Sequence, residues 1–179
     1  AKKENVFIFR VPFAPRLSRG AFRGEETWEN LQIGEAMREF IAKEYGRTLV
    51  IHLGKGELLL ECVEKALEEK NFKNAVLLSA IGSLRKLSMH IIMDTEDNAT
   101  NHFLVVEKPF ELCAMQGLVL NGVPHFHMVC SAPGNESFCG HVEEGCEVQY
   151  LMEIALLEIK DMNLTRRKDA FNIDYIDEL

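Results

Sequence analysis

Three histidines in the stretch PHFHMVCSAPGNESFCGHVEEGCEV, from Pro124 to Val148, have the types and spacing to hold a metal ion. His125 and His127 are one residue apart, and side chains at i and i+2 of a β-strand leave the same face. His141 follows Pro133-Gly134-Asn135, a strong turn signal between two strand-like stretches. A hairpin centred on Gly134, with an odd loop of three or five residues, sets His127 opposite His141 and His125 opposite Glu143. Opposed Cβ atoms stand about 4.5 to 5.5 Å apart, close enough for imidazoles to converge on one cation. A shift of the centre by half a residue sends His141 to the other face, so the chemistry hangs on register. Three neutral imidazoles with a vacant fourth position are the donor set typical of catalytic Zn2+, and imidazole also suits iron, nickel and copper. The expected cofactor is a divalent transition metal, zinc foremost, on His125, His127 and His141. The alternative is a hydrogen-bonded polar face on the sheet.

Such an ion could bind a small molecule, or it could act as a Lewis acid in a lyase or hydrolase by polarising a carbonyl or acidifying a bound water. The enzyme reading needs a carboxylate for proton transfer. Glu143, expected opposite His125, is the geometric candidate, and Glu111 in PFEL is the other. The more ordinary reading of both is a solvent-facing or structural carboxylate. Cys139 shares the histidine face in this register, as a soft ligand or as a small buried thiol. His90 and His102 face each other if their hairpin is centred on Glu96, either as a second site or as an ordinary cross-strand polar pair. His52 has no partner in its own neighbourhood of the sequence.

These residues need a sheet to position them, and most of the chain reads as sheet. RTLVIHL (47 to 53) is strand-like, and the following Gly54-Lys55-Gly56 lacks the spacing of a phosphate-binding loop. From Glu57 to about Lys70, Leu59, Cys62, Val63, Ala66 and Leu67 form one face of an amphipathic helix. NAVLLSAIGSL reads as a short strand ending near Gly82. KLSMHIIMD and NHFLVVEK flank a polar turn as a hairpin, FELCAMQGLVL follows Pro109, Asn121-Gly122 turns into the histidine hairpin, and CEVQYLMEIALLEI closes the β region. Earlier, residues 5 to 13 suggest a strand, and Ile33, Ala36, Met37, Phe40 and Ile41 recur at helical spacing from about Thr27 to Tyr45, with Gly46 placed as a C-terminal cap. The expected fold is α+β: a mostly antiparallel, barrel-like sheet of about seven or eight strands packed with one or two helices. Short hairpin connections argue against a doubly wound parallel sheet. Residues 1–46 are expected to form an N-terminal extension and residues 47–179 the main domain.

Of 179 residues, 47% are hydrophobic and 27% charged, enough to bury a core without covalent staples. The sequence has neither an apolar run of transmembrane length nor a secretion-signal pattern, so no membrane partner is expected. Five cysteines without paired CxxC spacing fit reduced thiols in a cytoplasmic protein. A net charge of −8 argues against a broad grip on phosphates. Residues 1–24 nevertheless carry +5, leaving −13 for the remainder. DNA contact, if made, would use Arg16, Arg19 and Arg23 of this arm, which is otherwise a solvated terminus or a subunit contact.

From about Leu49 to the C-terminus the sequence resembles the prokaryotic branch of the plant-and-prokaryote-conserved (PPC) domain family. The likeness is carried by LGKGELLLECVEKAL, LLSAIGSL, KPFELCAMQG, the His-x-His pair with its downstream Gly-His-x-x-Glu-Gly-Cys, and the ending LTRRKDAFNIDYIDEL. It implies an antiparallel sheet packed with helices, assembled as a homotrimer, with metal at His125, His127 and His141. Gly140, Glu144, Gly145 and Cys146 match further motif positions. Members are called predicted DNA-binding proteins after plant relatives with AT-hooks, and this chain has no Arg-Gly-Arg-Pro hook core. A more distant similarity, in site pattern, is to acetolactate decarboxylase, which holds zinc through three histidines, two in a His-x-His pair. The expected function is a metal-binding PPC-domain regulator or small-ligand binder.

Overall fold

The computed structural model describes residues 37–96, 99–169 and 172–179. The basic arm, the expected strand at 5 to 13 and most of the helix expected from Thr27 lie outside the described residues. Among the described residues, eight strands and one helix follow in the order β1 (Tyr45–Gly54), α1 (Leu59–Lys70), β2 (Ala75–Ile92), β3 (Asn101–Leu120), β4 (Val123–Ala132), β5 (Glu136–Val142), β6 (Glu147–Ile159), β7 (Leu164–Lys168) and β8 (Asp174–Glu178). Six strands form one antiparallel sheet in the order β1-β6-β2-β3-β4-β5, and β7 and β8 form a separate hairpin. β5 also pairs with β2, which closes β2, β3, β4 and β5 into a ring. The α+β, antiparallel and barrel-like expectation holds in that form.

Two expected hairpin arms turn out to be parts of longer strands. The segment read as ending near Gly82 continues to Ile92 as one 18-residue strand, and β3 runs 20 residues through Pro109. Register shifts at Leu84/Lys86 and Leu112/Ala114 bend these strands without ending them. Pro109 is tolerated because β3 jumps from Phe110 to Glu107 in its pairing with β2 and asks no ladder bond of it there.

Residues 37–44 are not helical, and Gly46 lies within β1 rather than capping a helix. Met37 and Ile41, expected on a packing face, are 83% and 77% exposed. Apolar spacing alone does not hold a helix when no surface receives it, because most helix stability comes from packing. The backbone instead is tied to the end of β6 and the turn after it: the N–H groups of Lys43 and Glu44 donate to Asp161 at 2.8 and 3.1 Å, and Tyr45 pairs with Ile159.

The helix behaves as its pattern implies. Leu59, Val63 and Leu67 are buried at i, i+4 and i+8, with Cys62 and Ala66 half-buried beside them. It stops at Asn71, left-handed at φ 54°, and the N–H of Phe72 returns to the carbonyl of Leu67. The core lies between this helix and the inner faces of the strands, with Leu84, Leu87, Phe110, Phe126, Met128, Met152 and Leu156 fully enclosed. No helix among the described residues is long and apolar enough to cross a membrane.

Arg47 pins β1 to β6 through a pair of bonds to Glu158, Nη2 to Oε1 at 2.7 Å and Nε to Oε2 at 3.1 Å. The Arg47 side-chain hydrogen bonds hold the Glu158 carboxyl down at about 2, against an ordinary value of 4.5. A depressed carboxylate stabilises the fold above its ordinary value, and the contribution fades as pH falls toward the folded value. Thermal melts of wild-type protein should therefore lose midpoint between pH 4.5 and 2, and Glu158→Gln should remove part of that slope. The effect is modest because Arg47 is exposed and solvent screens the pair.

Candidate metal centre

β4 and β5 form the histidine hairpin around Pro133-Gly134-Asn135, with Gly134 and Asn135 at φ 87° and 62°, the left-handed turn conformation these residue types accept. The register is the one centred on Gly134: Ala132 pairs with Glu136, Cys130 with Phe138, and His127 with His141. Along β4, Phe126, Met128 and Cys130 point into the core, which turns His125, His127 and Val129 outward. Donor atoms of His125, His127 and His141 all lie within 4.8 Å of one another.

The geometry within the group suits a shared cation. The Nε2 atoms of His125 and His127 stand 3.3 Å apart. Two nitrogens bound at about 2.0 to 2.1 Å on a tetrahedral ion are separated by about 3.3 to 3.4 Å, so the two rings match that edge. The His141 ring stands edge-on to both, with centroids 4.6 Å from His125 and 5.3 Å from His127. Burial, then the neighbouring His125 and His90, push the His141 imidazole down to about 4. Burial, followed by the Arg166 guanidinium, lowers His125 as well. At neutral pH His141 is therefore uncharged and keeps a lone pair to donate, the form a metal requires.

β5 then leaves β4 and pairs with β2, placing His90 directly opposite His141. The His90 and His141 rings stack with centroids 4.5 Å apart and 30° between planes. Glu143, expected opposite His125, lies past the end of the β4–β5 ladder, and its Oε1 accepts from His90 Nδ1 at 2.5 Å. His90, His141 and Glu143 form a second group of donors within 4.8 Å, with His141 common to both groups. The expected pairing of His90 with His102 does not occur. The β2–β3 register sets His90 opposite Phe103 and His102 opposite Ile91, a slip of one residue that sends the two histidines to opposite faces.

The remaining candidates lie apart. Glu111 is exposed between Ser83 and Ser131, four residues along β4 from His127 and so about 13 Å away. Cys139, opposite Val129, is an exposed thiol on the histidine face whose sulfur belongs to neither donor group. His52 is exposed on β1 opposite Glu153. The other motif positions serve the backbone. Gly145, at φ 88°, donates its N–H to Glu61 at 2.9 Å, and buried Cys146 donates to the Ser88 carbonyl at 3.1 Å. Arg166 reaches from β7 to the carbonyls of Val123 and Leu118, tying the C-terminal hairpin beside His125.

Gly140 lets β5 approach β2. A Cβ there would stand 2.6 Å from the His90 carbonyl oxygen and 2.9 Å from Ile91 Cγ2. Gly140→Ala should force the strands apart at a cost of about 1 to 3 kcal/mol, typical of overpacking, and weaken metal uptake by separating His141 from its neighbours. Denaturant melts read the first effect and metal titration the second.

A cavity of about 520 Å3 opens beside the rings, lined by His90, Ile91, Met128, Val129, Cys139 and His141 among others. It offers a largely apolar wall next to the nitrogen donors.

The fold has close counterparts. A plant- and prokaryote-conserved protein from Pyrococcus horikoshii superposes with a TM-score of 0.69 at 22% identity, covering 80% of this chain and 99% of that one. A metal-containing protein from Archaeoglobus fulgidus gives 0.64 at 25% identity over 76% of this chain and 95% of its own. A candidate DNA-binding protein from Bacteroides thetaiotaomicron gives 0.64 at 13% identity, covering 76% and 96%. Among curated sequences, bifunctional GlmU proteins of two Synechococcus strains match at 24% and 22% identity over 69% and 66% of this chain, which spans only 19% and 18% of their length. The family model of the Plants and Prokaryotes Conserved (PCC) domain matches residues 41–160, two thirds of the chain and every strand of the histidine ring, and the chain belongs to that family.

Proposed function

We propose that this protein is a metal-binding PCC-domain module, a regulator or small-ligand binder that holds one divalent transition ion, zinc foremost, on His125, His127 and His141. The convergence of those three side chains from two strands carries the reading. The metal-containing Archaeoglobus relative is consistent with it. The ion would supply a Lewis-acidic centre, and the chain's own residues would orient it: Phe126 and Met128 anchor β4 from within, and Gly140 brings β5 against β2. Assembly as a homotrimer belongs to the same proposal. Its physical support is the exposed Val50, Leu78, Ile81, Tyr150 and Leu151 on the adjoining strands β1, β2 and β6, apolar side chains that further copies of the chain would cover.

Elemental analysis of protein purified without a histidine tag tests the reading, with light scattering for the assembly. About one transition-metal ion per chain and a mass of three chains are expected. Protein that is metal-free and refuses added zinc sinks the metal assignment, and a monomer sinks the trimer.

A second reading, a metal-dependent lyase or hydrolase, is favoured by the apolar cavity beside the rings, into which a small carbonyl compound would fit. It requires a coordination position left open to substrate or water. Of its acid–base candidates, Glu143 is engaged with His90 and Glu111 is distant from the rings. DNA as a partner rests on the +5 charge of residues 1–24 and on the Bacteroides relative. It predicts binding that weakens steeply with salt and is lost when Arg16, Arg19 and Arg23 are neutralised.

A further inference from the structure

Building on the metal assignment above, we propose that His90 is a fourth imidazole donor to the ion held by His125, His127 and His141, with Glu143 as the carboxylate that orients it. Two ladders meet at His141: β4 sets His127 opposite it, and β2 sets His90 opposite it from the other side. His90 therefore shares the outward face of the centre, 35 positions upstream of the nearest histidine of the hairpin in sequence. Its ring lies 4.5 Å from that of His141, against 4.6 and 5.3 Å between His141 and the rings of His125 and His127, while its donor atoms group with His141 and Glu143 and not with the hairpin pair, so the His90 ring has to shift inward when the ion binds. Phe103 contacts the same ring at 5.2 Å and limits its freedom.

The hydrogen bond to Glu143 gives the ring its polarity. A carboxylate that accepts the 2.5 Å bond places its hydrogen on His90 Nδ1, and in the neutral imidazole that tautomer leaves the lone pair on Nε2. A carboxylate behind a histidine is the usual way a protein fixes the tautomer and direction of a metal ligand. The same bond argues against a second ion between His90 and Glu143. Two donors on one ion stand about 3.3 Å apart, whereas these two atoms are already in hydrogen-bond contact.

A fourth protein donor changes what the centre does. On a tetrahedral ion it closes the coordination sphere, as in structural sites, and leaves no position for water or substrate. The ion then ties β2 to the β4–β5 hairpin where the ring of strands closes, and His90 decides between a binding module and a metal-dependent enzyme.

Titration of metal-free full-length protein with Co2+, followed through its visible ligand-field absorption with and without azide, tests the assignment. Wild-type protein should take up one Co2+ per chain with a four-coordinate spectrum that azide leaves unchanged. His90→Ala, and His90→Gln as a variant that keeps the volume of the side chain, should bind Co2+ at least ~100-fold more weakly and show a spectrum that azide shifts, while Glu143→Gln should keep the wild-type spectrum with affinity down ~10- to 100-fold. His90 variants that match wild-type in affinity and spectrum overturn the fourth donor while leaving the three-histidine centre standing. So does a second Co2+ per chain that the His90 variants lose. Wild-type protein that takes up no Co2+ overturns the metal assignment itself and this inference with it.

Discussion

His141→Ala is expected to abolish metal binding. His141 is the one residue common to both donor groups, and its ring adjoins those of His125, His127 and His90 at 4.6, 5.3 and 4.5 Å. Without it, His125 and His127 remain as two donors on a single strand, and His90 loses the ring across the ladder that links it to them. Loss of an outer hydrogen-bond partner typically costs ~10- to 100-fold in metal affinity, and loss of the shared ligand should cost more. The effect should also appear in stability. Zinc at one hundred times its dissociation constant stabilises a protein that binds it only when folded by about 2.7 kcal/mol. Wild-type melts should therefore shift upward on adding zinc, and His141→Ala melts should not move. Far-UV circular dichroism of the metal-free variant checks that the sheet is intact. A variant that retains the zinc-induced shift contradicts the three-histidine centre.

Phe126→Ala should cause the largest loss of stability. Phe126 is 1% exposed, sits between His125 and His127 in sequence, and points to the opposite side of β4. Across the ladder it faces Gly117, where a Cβ would run into the Phe126 ring and the His125 carbonyl oxygen. The ring thus fills the space that glycine leaves, and truncation opens a cavity that β3 has no side chain to fill. Phe→Ala in a core costs about 3 to 5 kcal/mol. Urea unfolding should show a midpoint reduced by that amount with little change in slope. The converse change, Gly117→Ala, should also destabilise, because φ is 148° there and the obstructing atom is backbone. Since Phe126 holds the strand that carries two of the histidines, both variants should bind metal less tightly. The outward-facing His127→Ala should lose metal with little change in the stability of the metal-free protein. That contrast separates the side of β4 that supports the fold from the side that carries the chemistry.

Where a segment's structure depends on its immediate neighbours, residue types sufficed. Pro133-Gly134-Asn135 accepts the left-handed turn, so the hairpin register follows from local geometry and brings His127 opposite His141. The stripe of Leu59, Val63 and Leu67 demands burial at helical spacing, and α1 supplies it. Where the outcome depended on a distant partner, the local pattern misled. The spacing of Met37 and Ile41 is helical, yet the backbone there is bound to Asp161, 118 positions from Lys43, and runs into β1. Pro109 and Gly82 read as strand ends, but long-range pairing carries β2 and β3 past both.

The centre divides along the same line. By itself the amino-acid sequence determined an antiparallel α+β domain and a three-histidine face, because a strand alternates its side chains and a short turn leaves few registers open. Only the tertiary structure decided that β5 would return to β2, because that pairing joins residues more than fifty positions apart and no turn chemistry links them. From that closure come the neighbourhood of His90 and His141, the bond from His90 to Glu143, and the removal of His102 from the site.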